Sequence, residues 1–314
     1  MQKQEWKTRR PSLRRRYLNN YWQLYLMMLL PLAYFILFKY VPMFGNILAF
    51  RRFRPLTGPY GVRWEGFRYF EMFLKDEGFL RAFRNTLELS LLNLIINFPV
   101  PIIFAVLLNE VRNLRFKKLV QTVSYMPRFI STVVVISILT ELLSPSSGAL
   151  NRLLQSVFGT QPIYYMNEAR YFRPLYILTD MWQYTGWSAI VYLAAITGIN
   201  AEMFEAARID GASRWQQIRF ITLPTIMPTV MVMFILKVGN LLSLGFEKVL
   251  LMYTPANSVV SDIIDTYVYR MGFQSSANQY SYATAIGLFS GIVGLILVTG
   301  SNLLSRKVTG ESIY

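Results

Sequence analysis

The sequence predicts an all-α protein that crosses a membrane about six times. Three observations carry that expectation. Of 314 residues, 54% are hydrophobic and 16% charged, with a mean hydropathy of +0.33, which is too apolar for a water-soluble domain of this length. Apolar runs recur at residues 22–41, 86–108, 120–143, 175–199, 225–250 and 283–304, each near the ~20 residues that a helix needs to cross a bilayer. Basic residues are unevenly shared between the two sides that these runs define: with the N-terminus inside, sixteen fall on the cytoplasmic side and eleven outside, eight of the eleven within residues 51–85.

Taken in order, the chain starts with a basic tail, residues 1–20, in which Lys3, Lys7, Arg9, Arg10, Arg14, Arg15 and Arg16 face the single acid Glu5. A signal peptide starts in a similar way. Here, however, the apolar run behind the tail is too long and no small-residue cleavage site follows, so the tail reads as a cytoplasmic anchor for a first span within residues 21–50. Residues 51–85 are expected outside. There Trp64, Phe67, Phe70 and Phe73 or Leu74 recur every three or four positions with charges between them. This pattern fits an amphipathic helix lying in the outer membrane interface, and equally a loop helix packed on the outer cap of the protein. The remaining spans make a membrane core over residues 86–308, leaving residues 309–314 as a cytoplasmic end, so that both termini are expected inside a bacterial plasma membrane. Pro42, Pro99, Pro101, Pro127, Pro224 and Pro228 lie in or beside the spans, where neighbouring helices and water can satisfy the backbone groups that a kink frees.

Composition also excludes. There is no His and no Cys, which removes zinc sites, histidine bases, Ser-His-Asp triads, cysteine nucleophiles and disulfides. The net charge of +15 would suit nucleic acid in a soluble protein, but in a polytopic one it reports lipid headgroups and topology, so no nucleic-acid partner is expected. No G-x-x-x-x-G-K-[ST] phosphate cradle occurs, and no cofactor is expected on this chain.

Between the fourth and fifth spans lies a polar stretch, residues 200–224, that needs its own explanation. Asn200 can cap a first short helix, with Glu202 and Glu205 in its opening turns where the helix dipole favours acids. Gly211 supplies a stop, and Ser213 with Gln216 makes a capping box for a second helix. Met203, Phe204 and Ala207 share one side, leaving Glu202, Glu205 and Arg208 at the rim. Such an elbow with an apolar knob can fill a groove on a partner; it can also pack on its own bundle.

The spacing Glu205-Ala206-Ala207, three residues, Gly211, nine residues, Ile221-x-Leu223-Pro224 resembles, at all seven fixed positions, the EAA motif of permease subunits of binding-protein-dependent type I ABC importers. The likeness extends to Asn85-Thr86-Leu87, to residues 144–151 and to Tyr267-Val268-Tyr269-Arg270, which are similar to carbohydrate-importer permeases, in particular those for oligosaccharides derived from polysaccharides. The first helix resembles the extra N-terminal helix that many members add. The resemblance implies that the elbow is a coupling helix seated on an ATPase subunit. It implies a second homologous permease, two ATPase subunits that hold ATP and magnesium, an extracytoplasmic solute-binding protein and an oligosaccharide substrate. This chain would then be a non-catalytic transport subunit working by alternating access.

Candidate pathway residues are polar or aromatic groups inside apolar spans, because a charge at the bilayer centre costs ~2.5–3.5 kcal/mol even on lenient scales. Lys237, Asn240 and Ser243 are assigned to the fifth span, Glu247 with Lys248 to its outer end, Trp182, Gln183, Tyr184 and Trp187 to the fourth, and Asn93 and Asn97 to the second. Aromatic faces and amide or charged groups are the mixture that binds sugars, although Asn and Ser also serve as interhelical glue and Lys237 can snorkel. Pro224 and Pro228 are expected to host a bend at the base of the fifth span. Basic residues of the outer loop suit an anionic sugar or lipid headgroups alike. Two other classes stay open at this stage: an ion-coupled secondary permease and a membrane assembly subunit that moves no solute.

Overall fold

The computed structural model describes residues 13–54, 58, 60–275 and 279–309, so Lys3, Lys7, Arg9 and Arg10 of the tail lie outside it. The described residues are almost wholly helical. Four stretches are long and apolar enough to cross a membrane singly, Tyr21–Ala49, Glu77–Glu110, Arg214–Gly239 and Tyr280–Lys307, and two bent pairs of helices bring the number to the expected six when each pair is taken as one crossing.

The first span begins as α1 (Leu13–Phe35) and continues through a π turn and a 3-10 turn to Ala49. No residue of its apolar window is buried within the chain. A short ribbon follows, β1 (Arg51–Arg52) against β2 (Arg63–Trp64), antiparallel with Arg51 opposite Trp64. Helix α2 (Arg68–Leu74) is shorter than the periodicity predicts, because Trp64 sits in β2 and Phe67 only caps the helix. It packs on the bundle: Phe73 is fully buried, with its ring 4.7 Å from that of Phe79 and 5.4 Å from that of Phe289. Of the two readings of this loop, the packed one describes its core.

Helix α3 (Glu77–Asn97) starts nine residues before the expected span because Asp76 caps it, Oδ1 accepting from the Gly78 and Phe79 N–H groups at 2.7 and 3.2 Å. Its Oδ2 accepts from the hydroxyls of Tyr267 and Tyr282 at 2.8 and 3.0 Å. Burial works against ionisation of Asp76, but the Tyr267 and Tyr282 hydrogen bonds and the two N–H groups outweigh it and hold the carboxyl below the usual range. After Phe98, Pro99 and Pro101 fall in the first turn of α4 (Pro99–Asn109), where a missing N–H costs little.

The third crossing is not one helix. Helix α5 (Leu114–Tyr125) runs into a 3-10 turn holding Pro127, and Ser131 then caps α6 (Thr132–Leu142), which leaves at 98° to the incoming segment. Helix α7 (Ala149–Phe158) follows, and then α8 (Ala169–Thr197), the longest of the central helices, around which two of the three core clusters assemble. Its Gly186 lets α5 approach closely: a Cβ there would lie 2.2 Å from the Ser124 carbonyl oxygen. At its end the chain turns by 68° into α9 (Ala201–Ile209).

Helix α10 (Arg214–Gln217) and a π turn lead into α11 (Leu223–Gly239). The fifth span was expected to reach residue 250, but it stops at Gly239, with Asn240 as its C-cap. Glu247 and Lys248 therefore belong to a separate helix, α12 (Phe246–Met252), opened by Gly245. Pro224 occupies the first turn of α11 and Pro228 its interior without a bend beyond 40°, so the sharp turns lie at Pro127 and at residues 198–200 instead. Helices α13 (Ser258–Ser261) and α14 (Ile264–Tyr269) follow, and α15 (Tyr280–Thr309) ends the described chain. In α14, burial pushes the Asp265 carboxyl up to about 6.

Candidate functional site

Two regions gather the chemistry, and α8 runs between them. The first is the elbow of residues 200–224. Asn200 caps α9, its Oδ1 accepting from the Glu202 N–H at 3.0 Å, and Gly211 ends it with φ +78°, a conformation that side chains with a Cβ disfavour. The Ala212 N–H reaches the Ala207 carbonyl at 2.8 Å. Ser213 and Gln216 form the capping box, with the Ser213 N–H donating to Gln216 Oε1 at 2.7 Å. Gln217 donates back to the Ala212 carbonyl at 3.0 Å. These hydrogen bonds all lie within the elbow itself.

Its anchoring differs from the single apolar face that the sequence predicts. Phe204 and Ala207 are half-buried toward the chain's own bundle, and Ile218 and Leu223 pack on the core around Tyr192 and Ile226. Pro224, at the start of α11, is exposed, and Ile221 is half-buried. Glu205, Ala206 and Gly211 stay exposed, and so do Met203, Trp215, Phe220 and Ile209, the last at 86%. Large exposed apolar groups around a polar elbow can meet a partner protein or lipid. Beside it opens a groove of about 900 Å³, lined among others by Glu110, Arg112, Phe204, Glu205, Arg208 and Arg214. Arg214 Nη1 lies 2.9 Å from Glu110 Oε2, which ties the elbow to the end of α4.

The second region is a cavity of about 430 Å³ among α3, α6, α8, α11 and α12. Lys237, Asn240, Tyr184 and Glu247 of the predicted pathway all line it, together with Ser243 and Asn93. Asn97 stands behind the wall, its Nδ2 donating to the Ile177 carbonyl at 3.2 Å and to Asp180 Oδ2 at 3.4 Å. Trp182 does not belong: it is 53% exposed and lines a separate apolar hollow beside Pro127, because it lies on the far face of α8 from Asp180 and Tyr184. Gln183 is buried and donates to the Ile130 carbonyl at 3.0 Å, bracing the turn before α6, and Trp187 packs edge-on against Phe129.

The cavity's most strongly held group is one that the pathway candidates omit. Asp180 Oδ1 lies 3.3 Å from Lys248 Nζ, and Oδ2 accepts from Asn93 Nδ2 at 3.2 Å. Lys248, 4% exposed, also donates to the Tyr176 carbonyl at 3.0 Å and sits 4.4 Å from the centre of the Tyr176 ring. A lone acid in an apolar span is the sequence signal for Asp180; its partner was hidden because Lys248 falls on a helix that the sequence pattern merges with α11. Asn93 is 5% exposed, and its Oδ1 has no hydrogen-bond partner among the described residues, a state that costs about 1–3 kcal/mol. Lys237 makes no ion pair among the described residues.

Residues 97–310 match the family described as "Binding-protein-dependent transport system inner membrane component". The chain belongs to this family. It is therefore a membrane-embedded, multi-pass transport subunit of the binding-protein-dependent importers, with the type I permease fold. It is 47% identical, over 93% of its length and 90% of the relative's, to the polygalacturonan/rhamnogalacturonan transport system permease protein YteP of Bacillus subtilis. Protein LplB of the same organism is 43% identical over 93% of this chain and 91% of its own. Among solved structures, a chain of a bacterial ABC transporter involved in the import of the acidic polysaccharide alginate superposes with a TM-score of 0.85 at 40% identity, covering 94% of this chain and 98% of that one. A chain of an alginate ABC transporter in complex with alginate pentasaccharide-bound periplasmic protein gives 0.86 at 39% identity, covering 95% and 99%.

Proposed function

We propose that this importer permease carries an acidic oligosaccharide, and that the cavity bounded by Lys237, Asn240, Tyr184, Asn93 and Glu247 is its half of the alternating-access pathway. The observation that carries this reading is the cavity itself: an aromatic ring, amides and a cation with no acidic partner among the described residues converge inside a membrane bundle, where polar groups are rare and mark solute pathways. The relatives that handle polygalacturonan, rhamnogalacturonan and alginate support an acidic sugar, whose carboxylate Lys237 can meet.

In this reading a second, homologous permease supplies the other wall, and an extracytoplasmic binding protein delivers the sugar to the side of α7, α13 and α14. Two ATPase subunits, which hold ATP and magnesium, seat the elbow with Glu205, Ala206, Ala207 and Gly211 at the contact, while Ile221, Leu223 and Pro224 carry the motion into α11. Both termini face the cytoplasm with the elbow. This chain forms no covalent bond; it biases a two-state equilibrium that nucleotide binding drives.

Reconstitution of the complete transporter in liposomes tests the reading. Galacturonic-acid oligosaccharides bound to the binding protein are expected to stimulate ATP hydrolysis and to accumulate inside. Stimulation by neutral oligosaccharides alone would contradict the acidic substrate, and uptake that follows an ion gradient without ATP would contradict the importer.

A further inference from the structure

We propose that Asp180 is a positioning residue for sugar recognition, and that Asn93 Oδ1, which it orients, accepts a hydrogen bond from a hydroxyl of the transported sugar. The inference rests on the pathway reading above and assigns the group that the cavity reads.

The argument starts from the amide of Asn93. An amide carries donors on one end and an acceptor on the other. Asp180 Oδ2 accepts from Asn93 Nδ2 at 3.2 Å, so the nitrogen end faces the carboxylate with one of its two N–H donors committed. A rotated amide would set Oδ1 against the carboxylate, oxygen to oxygen, which the charge forbids. Asp180 is itself held in place: Lys248 Nζ lies 3.3 Å from its other oxygen, and Lys248 is tied to the Tyr176 carbonyl at 3.0 Å. Asn93 lines the cavity, is 95% buried, and keeps Oδ1 unpartnered among the described residues. Asn97 Oδ1 and Gln183 Oε1 are unpaired among the described residues as well, but neither residue lines the cavity, which leaves Asn93 Oδ1 as the buried amide acceptor open to a solute there.

A second lining amide, on the exposed Asn240, is fixed more loosely: one N–H of its Nδ2 donates to the Leu236 carbonyl at 3.0 Å, and its oxygen has no such tie. Ser90 likewise gives its hydroxyl hydrogen to the Leu241 carbonyl. Asn93, Asn240 and Ser90 therefore turn acceptors to the cavity beside the hydroxyls of Tyr184 and Ser243, and a solute that satisfies those acceptors must bring donors. Sugar hydroxyls do; fully etherified sugars and most apolar solutes do not.

The test uses the complete transporter with its binding protein. The probes are a galacturonic-acid trisaccharide and the set of its mono-O-methyl ethers, each of which loses one donor and keeps the oxygen. The binding protein is the same for every permease variant, so a change in discrimination belongs to this chain. With wild type, one ether of the set is expected to enter at least about tenfold more slowly than the parent sugar. In Asn93→Leu, a nearly isosteric change, that ratio collapses toward one because uptake of the parent falls. A ratio set by crowding of the methyl group would survive the same change. The pair Asp180→Asn with Lys248→Met, which frees the Asn93 amide without stranding a buried charge, is expected to lower the ratio, and Asp180→Glu to retain it.

Uptake with an unchanged ratio in Asn93→Leu, or a wild type that treats all ethers as the parent, overturns the assignment while leaving the importer reading intact. Failure of wild type to take up any of these acidic sugars overturns both.

Discussion

Arg214 and Glu110, 104 residues apart in the chain, meet with Nη1 2.9 Å from Oε2, which latches the elbow to the C-terminal end of α4. Both side chains are partly exposed, so the pair adds at most about 1 kcal/mol to stability. Its value is geometric, because it is a direct side-chain link between α4 and the elbow. Arg214→Ala is therefore expected to leave the melting temperature within a few degrees of wild type. It should also lower the sugar transported per ATP hydrolysed, and Glu110→Arg with Arg214→Glu should restore much of that ratio.

Gly211 makes a separate prediction. Its φ of +78° is strained for residues with a Cβ, yet a Cβ there would meet nothing within 4 Å. The cost of substitution is therefore conformational. Gly211→Asn, which tolerates this region, should keep most coupling, whereas Gly211→Val should lose about 1–2 kcal/mol of local stability and uncouple the transporter. Hydrogen exchange of the 208–214 amides, read beside ATP-driven uptake, checks both.

The elbow was legible in the sequence almost residue by residue, since Asn200, Gly211, Ser213 and Gln216 act through local hydrogen bonds that spacing alone specifies. The six crossings were legible for a similar reason, as apolar length is a local property. The end of the fifth span was not: Gly239 and Asn240 stop α11 where it crosses α15, and a Cβ on Gly239 would lie 2.2 Å from Val298 Cγ2, a contact between residues far apart in sequence. Half of the cavity followed from residue type, but which face of α8 looks inward separates Tyr184 from Trp182, and only packing decides that. The same holds for Asp180 with Lys248.

That pair should be far more costly to break than the surface latch. Lys248 is 4% exposed, and removing Asp180 alone strands a buried ammonium at a cost of about 3–5 kcal/mol. Asp180→Ala is expected to reduce the folded yield and lower the melting temperature markedly. Combining it with Lys248→Met should recover most of the stability, measured by thermal unfolding in detergent.

A pH signature belongs to Asp265. Its carboxyl is raised from 3.8 to about 6 by burial, so between those values the folded chain holds a proton that the unfolded chain has released. Stability therefore falls as pH rises through this window, and the penalty persists above pH 6. Asp265→Asn removes it. The variant should match wild type near pH 4 and exceed it by about 2 kcal/mol at pH 7.5, measured by chemical unfolding across the range.

The most direct test of the account is made at the elbow. Glu205→Lys and Gly211→Leu would each be assembled with the partner permease, the ATPase subunits and the binding protein, and ATP hydrolysis and sugar uptake measured on the same vesicles. The account predicts that the ATPase subunits either dissociate or stay bound while hydrolysis no longer drives uptake. Full retention of partners, stimulated hydrolysis and uptake in both variants would contradict the elbow's role as the coupling element.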